Sequence, residues 1–228
     1  MPSYQINDTK RRIADKIFTR EECGLPEKGF IFCCFNNNYK ITPETFDGWM
    51  RIVHQVEGSV LFMYVDNDSA IDNLKKEAES RGVSGKRLIF GQRLPLAEHL
   101  ARYRVASLFL DTLPYNAGAT ASDALWAGLP VLTCIGEAFA SRVAASLLNA
   151  IQLPELITAT QKEYEALAIE LATNPEKLTA IRQKLEKNRL TTPLFDTELF
   201  TRNIEKAYTA MYERYQADLL PDHIVIKP

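Results

Sequence analysis

The sequence predicts an α/β protein: a Rossmann-like, doubly wound parallel sheet followed by C-terminal helices. Two observations predict it. Short apolar runs at 30–35, 60–65, 87–90, 107–110, 130–134 and 156–158 are separated by stretches with helical patterning, the alternation of a parallel sheet buried on both faces. After residue 160 the pattern changes to helices alone.

The intervening helices follow from their end signals. Thr42, Pro43 and Thr45 can open a helix that carries Phe46, Trp49, Met50 and Val53 on one face. A second, over 69–81, stops before Gly82, and a third spans 95–104. The fourth starts just after Gly118 and stops at Gly128-Leu129-Pro130, where glycine adopts the left-handed conformation and proline blocks continuation. Further on, Tyr164, Leu167, Ala168 and Leu171 form one apolar face, and Leu178, Ile181 and Leu185 a second. Phe200, Ile204, Ala207, Tyr208, Met211 and Tyr215 form a third. Residues 1–28 are charged, lack strand signals and read as a lead-in from something upstream. Residues 29–160 are expected to form the Rossmann-like domain and 161–228 to pack as a helical annex.

Composition excludes several function classes. A net charge of −2 and the absence of a basic stripe give nucleic acid no general attraction. No apolar run approaches the roughly 20 residues of a membrane span, and the N-terminus lacks a signal-peptide core, so the expected compartment is the cytoplasm. Cys23, Cys33, Cys34 and Cys134 contain no C-x-x-C pair; they read as reduced thiols rather than metal ligands.

Three clusters can carry chemistry. The first runs from Leu110 to Asp123 and places the small residues Ala117, Gly118 and Ala119 after a buried strand and at a helix start. Unpaired amides and the helix dipole there favour an anion such as a diphosphate, at Gly118, Ala119 and Thr120. Asp123, one turn on, either accepts hydrogen bonds from ribose hydroxyls or only complements the dipole of a helix capped by Thr120 or Ser122. In the second cluster, Asn36 to Lys40 follow the first strand; Lys40 either neutralises a phosphate or is a solvated lysine in a polar turn. The third pairs His99 with Arg102, three residues apart on one helix face. Both can point at a base, or Arg102 can pair with Glu98 at the surface.

These same stretches resemble the O-linked N-acetylglucosamine transferase and SPINDLY family over nearly the whole chain. The likeness is carried by Leu110-Asp111-Thr112 through Asn116, by Asp123-Ala124-Leu125-Trp126-Ala127-Gly128-Leu129-Pro130, and by Ala140-Ser141-Arg142-Val143-Ala144-Ala145-Ser146. It implies the C-terminal lobe of a GT-B glycosyltransferase that passes N-acetylglucosamine from UDP-GlcNAc to serine or threonine of proteins with inversion, without a metal or other cofactor. By the same likeness Lys40 contacts the diphosphate with Asn37 beside it, and the backbone at Ala119 and Thr120 holds phosphate oxygens. His99 packs on the base, Arg102 contacts it, and Asp123 binds ribose. The protein acceptor and the catalytic base are expected on an upstream lobe with tetratricopeptide repeats. The sequence departs from the animal enzymes at Asn37 (glutamine there), Leu96 (lysine) and Gly118-Ala119 (His-Thr). Two alternatives therefore stand beside UDP-GlcNAc transfer: O-fucosyl transfer from GDP-fucose, and a nucleotide-binding module without transfer activity.

Overall fold

The computed structural model describes residue 3 and residues 7–226. Six parallel strands form the sheet: β1 (Ile31–Cys34), β2 (Val60–Tyr64), β3 (Leu88–Gly91), β4 (Leu108–Leu110), β5 (Val131–Cys134) and β6 (Ile157–Thr158). All six lie within the apolar runs of the sequence or one residue beyond. Their spatial order is β3-β2-β1-β4-β5-β6. From β1 the chain winds outward to β3, then returns to lay β4 on the other side of β1, pairing Phe32 with Leu108 and Cys33 with Phe109. The order reverses between β1 and β4, and a crevice opens there beyond the carboxyl ends of the strands.

Helices α1 (Pro43–Gln55), α2 (Asp68–Ser80), α3 (Leu96–Arg102), α4 (Ala119–Trp126) and α5 (Val143–Ala150) make the crossovers, followed by α6 (Gln161–Thr173), α7 (Pro175–Arg189) and α8 (Thr197–Gln216). Thr42 caps α1 by accepting the Thr45 N–H, with Pro43 at the first helical position. Gly128, at φ +87°, ends α4, and the Leu129 N–H reaches back to the Ala124 carbonyl. Helix α5 had no counterpart among the helices predicted from sequence. Val143, Ala144, Ala145, Leu147, Leu148 and Ala150 are all buried, which leaves only Ser146 and Asn149 as a narrow polar stripe, a weak signal of helical period.

The core is continuous across the proposed boundary at 160: Tyr164, Ala168, Leu171, Ile181 and Leu185 pack in the same cluster as the strands. Helix α8 departs from the expected annex. Tyr208, Met211 and Tyr215 on its anticipated apolar face stand exposed. The lead-in is tied to the domain: the Arg11 carbonyl accepts from Trp126 Nε1 at 3.0 Å and the Ala14 N–H donates to the Ala97 carbonyl at 2.9 Å.

Candidate functional site

The loops that follow β1 and β4 meet across the crevice. After β1, Asn37 caps a short 3-10 turn over Asn38–Lys40, its side chain accepting the Tyr39 N–H at 3.5 Å. That turn aims Lys40 across the gap, where its ammonium donates to the Asn116 carbonyl at 3.0 Å and lies 3.8 Å from the centre of the Tyr115 ring. Burial lowers the Lys40 pKa, and the Asp111 carboxylate works against that shift. Lys40 is thus a half-buried cation held by two neutral groups and, among the described residues, no direct carboxylate partner, a state suited to receiving an anion. Asn37 is exposed at the rim.

The N-terminus of α4 faces the same space. Gly118 occupies the N-cap position and no side chain caps the helix, so neither Thr120 nor Ser122 serves as the cap that the simpler sequence alternative required. The Ser122 hydroxyl instead donates to Asn7 and accepts from Arg11. The leading amides of Ala119 and Thr120 are left for solvent or a ligand.

Asp123 forms an ion pair with Arg11 of the lead-in. Burial raises the Asp123 pKa, and Arg11 opposes that rise. The carboxylate therefore has a partner that neither of its two sequence-based roles included. Residues 11 and 123 are far apart in sequence and no local pattern links them.

Helix α3 brings His99 in beside β1. Its ring lies 5.3 Å from that of Phe35 and 5.1 Å from that of Tyr103, centroid to centroid. The Tyr103 hydroxyl in turn donates to the Thr120 carbonyl at 3.5 Å, tying α3 to the start of α4. Arg102 does not share the ligand-facing role expected from its spacing to His99. At 3% exposure it is buried beneath, donating to the Gln92 carbonyl at 2.6 Å and to His99 Nδ1 at 2.7 Å, with its guanidinium 4.6 Å from the Phe35 ring centre. It does not turn outward to Glu98 either. The C-terminal end of α3 is buried at Leu100, Ala101 and Arg102, and the Arg102 side chain lies over the end of β3. There Gly91 leaves room for it, since a Cβ at that position would stand 2.8 Å from the guanidinium. Burial first, and Arg102 second, push the His99 pKa down to about 4, so the imidazole is neutral at physiological pH.

One group at the centre had no role assigned from sequence. Asp111, immediately after β4, is buried, and its carboxylate accepts the N–H groups of Thr112 at 2.8 Å and Ala117 at 2.7 Å and the Thr133 hydroxyl at 2.7 Å. A polar residue at the carboxyl end of an apolar strand was the available signal. Asn36 and Tyr164 complete the surroundings: Asn36 donates to the Thr112 hydroxyl at 2.9 Å, and Tyr164 donates to the Asp111 carbonyl at 3.0 Å.

Lys40, His99 and the α4 N-terminus thus surround one crevice at the reversal of strand order, with Asn37 at its rim, Asp123 one turn into α4 and Arg102 as support. Comparison with known proteins identifies the family. Residues 7–204 match the model of Glycosyl transferase family 41. The chain is 35% identical, over 98% of its length, to the Arabidopsis thaliana protein described as probable UDP-N-acetylglucosamine–peptide N-acetylglucosaminyltransferase SEC, of which it covers 23%. It is 34% identical, over 90% of its length, to the UDP-N-acetylglucosamine–peptide N-acetylglucosaminyltransferase of Caenorhabditis elegans, of which it covers 18%. Among solved structures, a mutant Thermobaculum terrenum O-GlcNAc transferase superposes with a TM-score of 0.78 at 34% identity, covering 82% of this chain and 37% of that one. The chain therefore spans about a fifth to a quarter of the length of these two curated relatives. None of its helices is long and apolar enough to cross a membrane among the described residues.

Proposed function

The chain belongs to glycosyl transferase family 41, and from that footing we propose that it is the donor-binding lobe of an inverting transferase that moves N-acetylglucosamine from UDP-GlcNAc to serine or threonine of proteins. The observation that carries this reading is the position of Lys40, a half-buried ammonium seated on the Asn116 carbonyl and the Tyr115 ring at the strand reversal, on the side where α4 presents an uncapped N-terminus.

In glycosyl transfer the bond from the anomeric carbon to the diphosphate oxygen breaks, and negative charge grows on the departing nucleoside diphosphate. Lys40 and the amides of Ala119 and Thr120 are fixed donors for that charge, stabilising it without reorganising. In this reading no divalent ion is needed. The neutral ring of His99 provides a flat surface for the base, Arg102 fixes that ring from beneath, and Asp123 meets the ribose hydroxyls. Asn37 borders the diphosphate. The acceptor hydroxyl, its protein and the base that deprotonates it belong to the rest of a two-lobed, cytoplasmic enzyme.

Calorimetry with UDP and GDP tests the proposal. UDP is expected to bind and GDP to bind more weakly. If GDP binds and UDP does not, fucosyl transfer replaces this reading; if neither binds at millimolar concentration, the donor site is not where it has been placed. Binding without turnover in the full-length protein leaves a nucleotide-binding module instead of an enzyme.

A further inference from the structure

We propose that Asp111 is a positioning residue of this site: its carboxylate closes the loop over residues 112–117 and so sets the carbonyl on which Lys40 is seated. The inference rests on the donor-site reading above and adds to it a residue that touches no substrate.

The geometry is that of a staple. One carboxylate oxygen, Oδ1, accepts the N–H at the start of the loop, from Thr112, and the N–H at its end, from Ala117. The other, Oδ2, accepts the Thr133 hydroxyl from neighbouring β5. Inside the ring so formed, the Thr112 hydroxyl donates to the Tyr115 carbonyl at 2.6 Å, and Asn116 Nδ2 donates to the Thr112 carbonyl at 2.8 Å. The loop's outward product is the Asn116 carbonyl, 3.0 Å from the Lys40 ammonium. The next residue after Ala117 is Gly118, the N-cap of α4, so the same staple sets the start of the helix that faces the crevice.

Charge acts alongside shape. Lys40 and Asp111 each stabilise the other's charged form, although no direct bond joins them. The other titratable groups around the carboxylate are Cys34 on β1, Cys134 on β5 and Tyr164 on α6, and burial raises all three pKa values. They remain neutral near pH 7, leaving Lys40 as the cation that Asp111 faces. Burial pushes Asp111 itself up to about 6, held from going further by the hydroxyl and amide donors.

Asp111→Asn separates the two contributions. An amide oxygen can still accept both loop N–H groups, and its NH₂ can donate to Thr133 Oγ1, because a hydroxyl both donates and accepts. The loop is kept and the charge is lost. Asp111→Ala removes both. Three quantities are to be measured on each variant: affinity for UDP, affinity for uridine, which lacks the phosphates, and the Lys40 titration midpoint by NMR of the ligand-free protein. Asp111→Ala is expected to lower UDP affinity tenfold or more while uridine affinity stays within about twofold. Asp111→Asn is expected to lower the Lys40 midpoint and to reduce the UDP-to-uridine ratio by about threefold. If Asp111→Ala leaves the UDP-to-uridine ratio at its wild-type value, loop closure by Asp111 is overturned; if Asp111→Asn leaves both the midpoint and the ratio at wild-type values, the charge contribution is overturned, even when the variant melts at a lower temperature. Should Asp111→Ala fail to fold, Asp111→Ser, whose shorter side chain cannot span Thr112 and Ala117, replaces it. If wild type does not bind UDP, the donor-site reading fails, and the Lys40 midpoint still reports whether Asp111 acts on Lys40.

Discussion

Arg102 and His99 are joined by a hydrogen bond of 2.7 Å from the guanidinium to Nδ1. Arginine has no lone pair to offer, so Nδ1 must be the acceptor, and the neutral imidazole carries its proton on Nε2. The ring is thereby held in one tautomer and one orientation. Arg102→Met, which keeps the bulk and removes the charge, is expected to raise the His99 midpoint from about 4 while leaving it below the ordinary value near 6.5, because burial is the larger cause. NMR titration of the ring reads this directly. A midpoint that does not move would show that Arg102 exerts no electrostatic hold on His99.

Asp123 has two claimants, the Arg11 guanidinium in the ligand-free structure and the proposed ribose. Asp123→Asn is expected to cut UDP affinity about tenfold or more, as for loss of a charge-assisted hydrogen bond worth roughly 1.5 to 3 kcal/mol. Arg11→Met leaves the carboxylate in place, so UDP affinity should change by less than threefold. Its cost in stability should fall between the ~1 kcal/mol of an exposed pair and the ~3 kcal/mol of a buried one. The control is a 2′,3′-dideoxy nucleotide, whose affinity should be insensitive to Asp123→Asn. If that variant melts early yet binds UDP normally, Asp123 only anchors the lead-in.

Lys40 should act more on the leaving diphosphate than on ground-state binding. In the full-length enzyme, Lys40→Ala is expected to reduce kcat on the order of a hundredfold, as for other preorganised electrostatic groups, with a smaller change in donor affinity. An unchanged rate would return Lys40 to the role of a surface lysine stacked on Tyr115.

Stability against pH should show two opposing contributions. His99 titrates near 4 in the fold and near 6.5 unfolded. The unfolded chain therefore binds more protons in that window, and stability is lost as pH falls through it. Asp111 titrates near 6 in the fold and near 3.9 unfolded. Here the folded state binds more protons, and stability is gained as pH falls from about 6 to 4. The shifts correspond to roughly 3.5 kcal/mol for His99 and roughly 3 kcal/mol for Asp111 at about 1.4 kcal/mol per pKa unit, so the two nearly cancel. Relative to wild type, His99→Gln should gain stability on acidification from pH 7 to 4, and Asp111→Asn should lose it. Denaturant titrations at pH 7, 5.5 and 4 measure both differences. Parallel curves for wild type and Asp111→Asn would mean that Asp111 does not titrate in this range.

The sequence by itself determined the sheet and most of its crossovers, because buried parallel strands must be short and apolar throughout and their flanking helices must be amphipathic. Hence the runs at 60–65 and 130–134 contain β2 and β5, and Gly128 ends α4 as its lack of a side chain allows. It also placed Lys40, His99 and the Gly118 turn on the carboxyl side of strands, where an α/β fold collects ligand-binding groups. Only the tertiary structure decided what those groups touch. The strand order β3-β2-β1-β4-β5-β6 sets the loop after β1 against the loop after β4, and that is what turns Lys40 toward Asn116. Arg102 lies in the interior because the absence of a side chain at Gly91, at the end of β3, leaves room there for its guanidinium. Asp111 closes its own loop on Thr112 and Ala117, but its bond to Thr133 on β5 and the pairing of Asp123 with Arg11 join segments whose separation in sequence carries no local periodicity. A carboxylate's residue type is written in the chain, but its partner is fixed only when the strands have been ordered and the gaps between them closed.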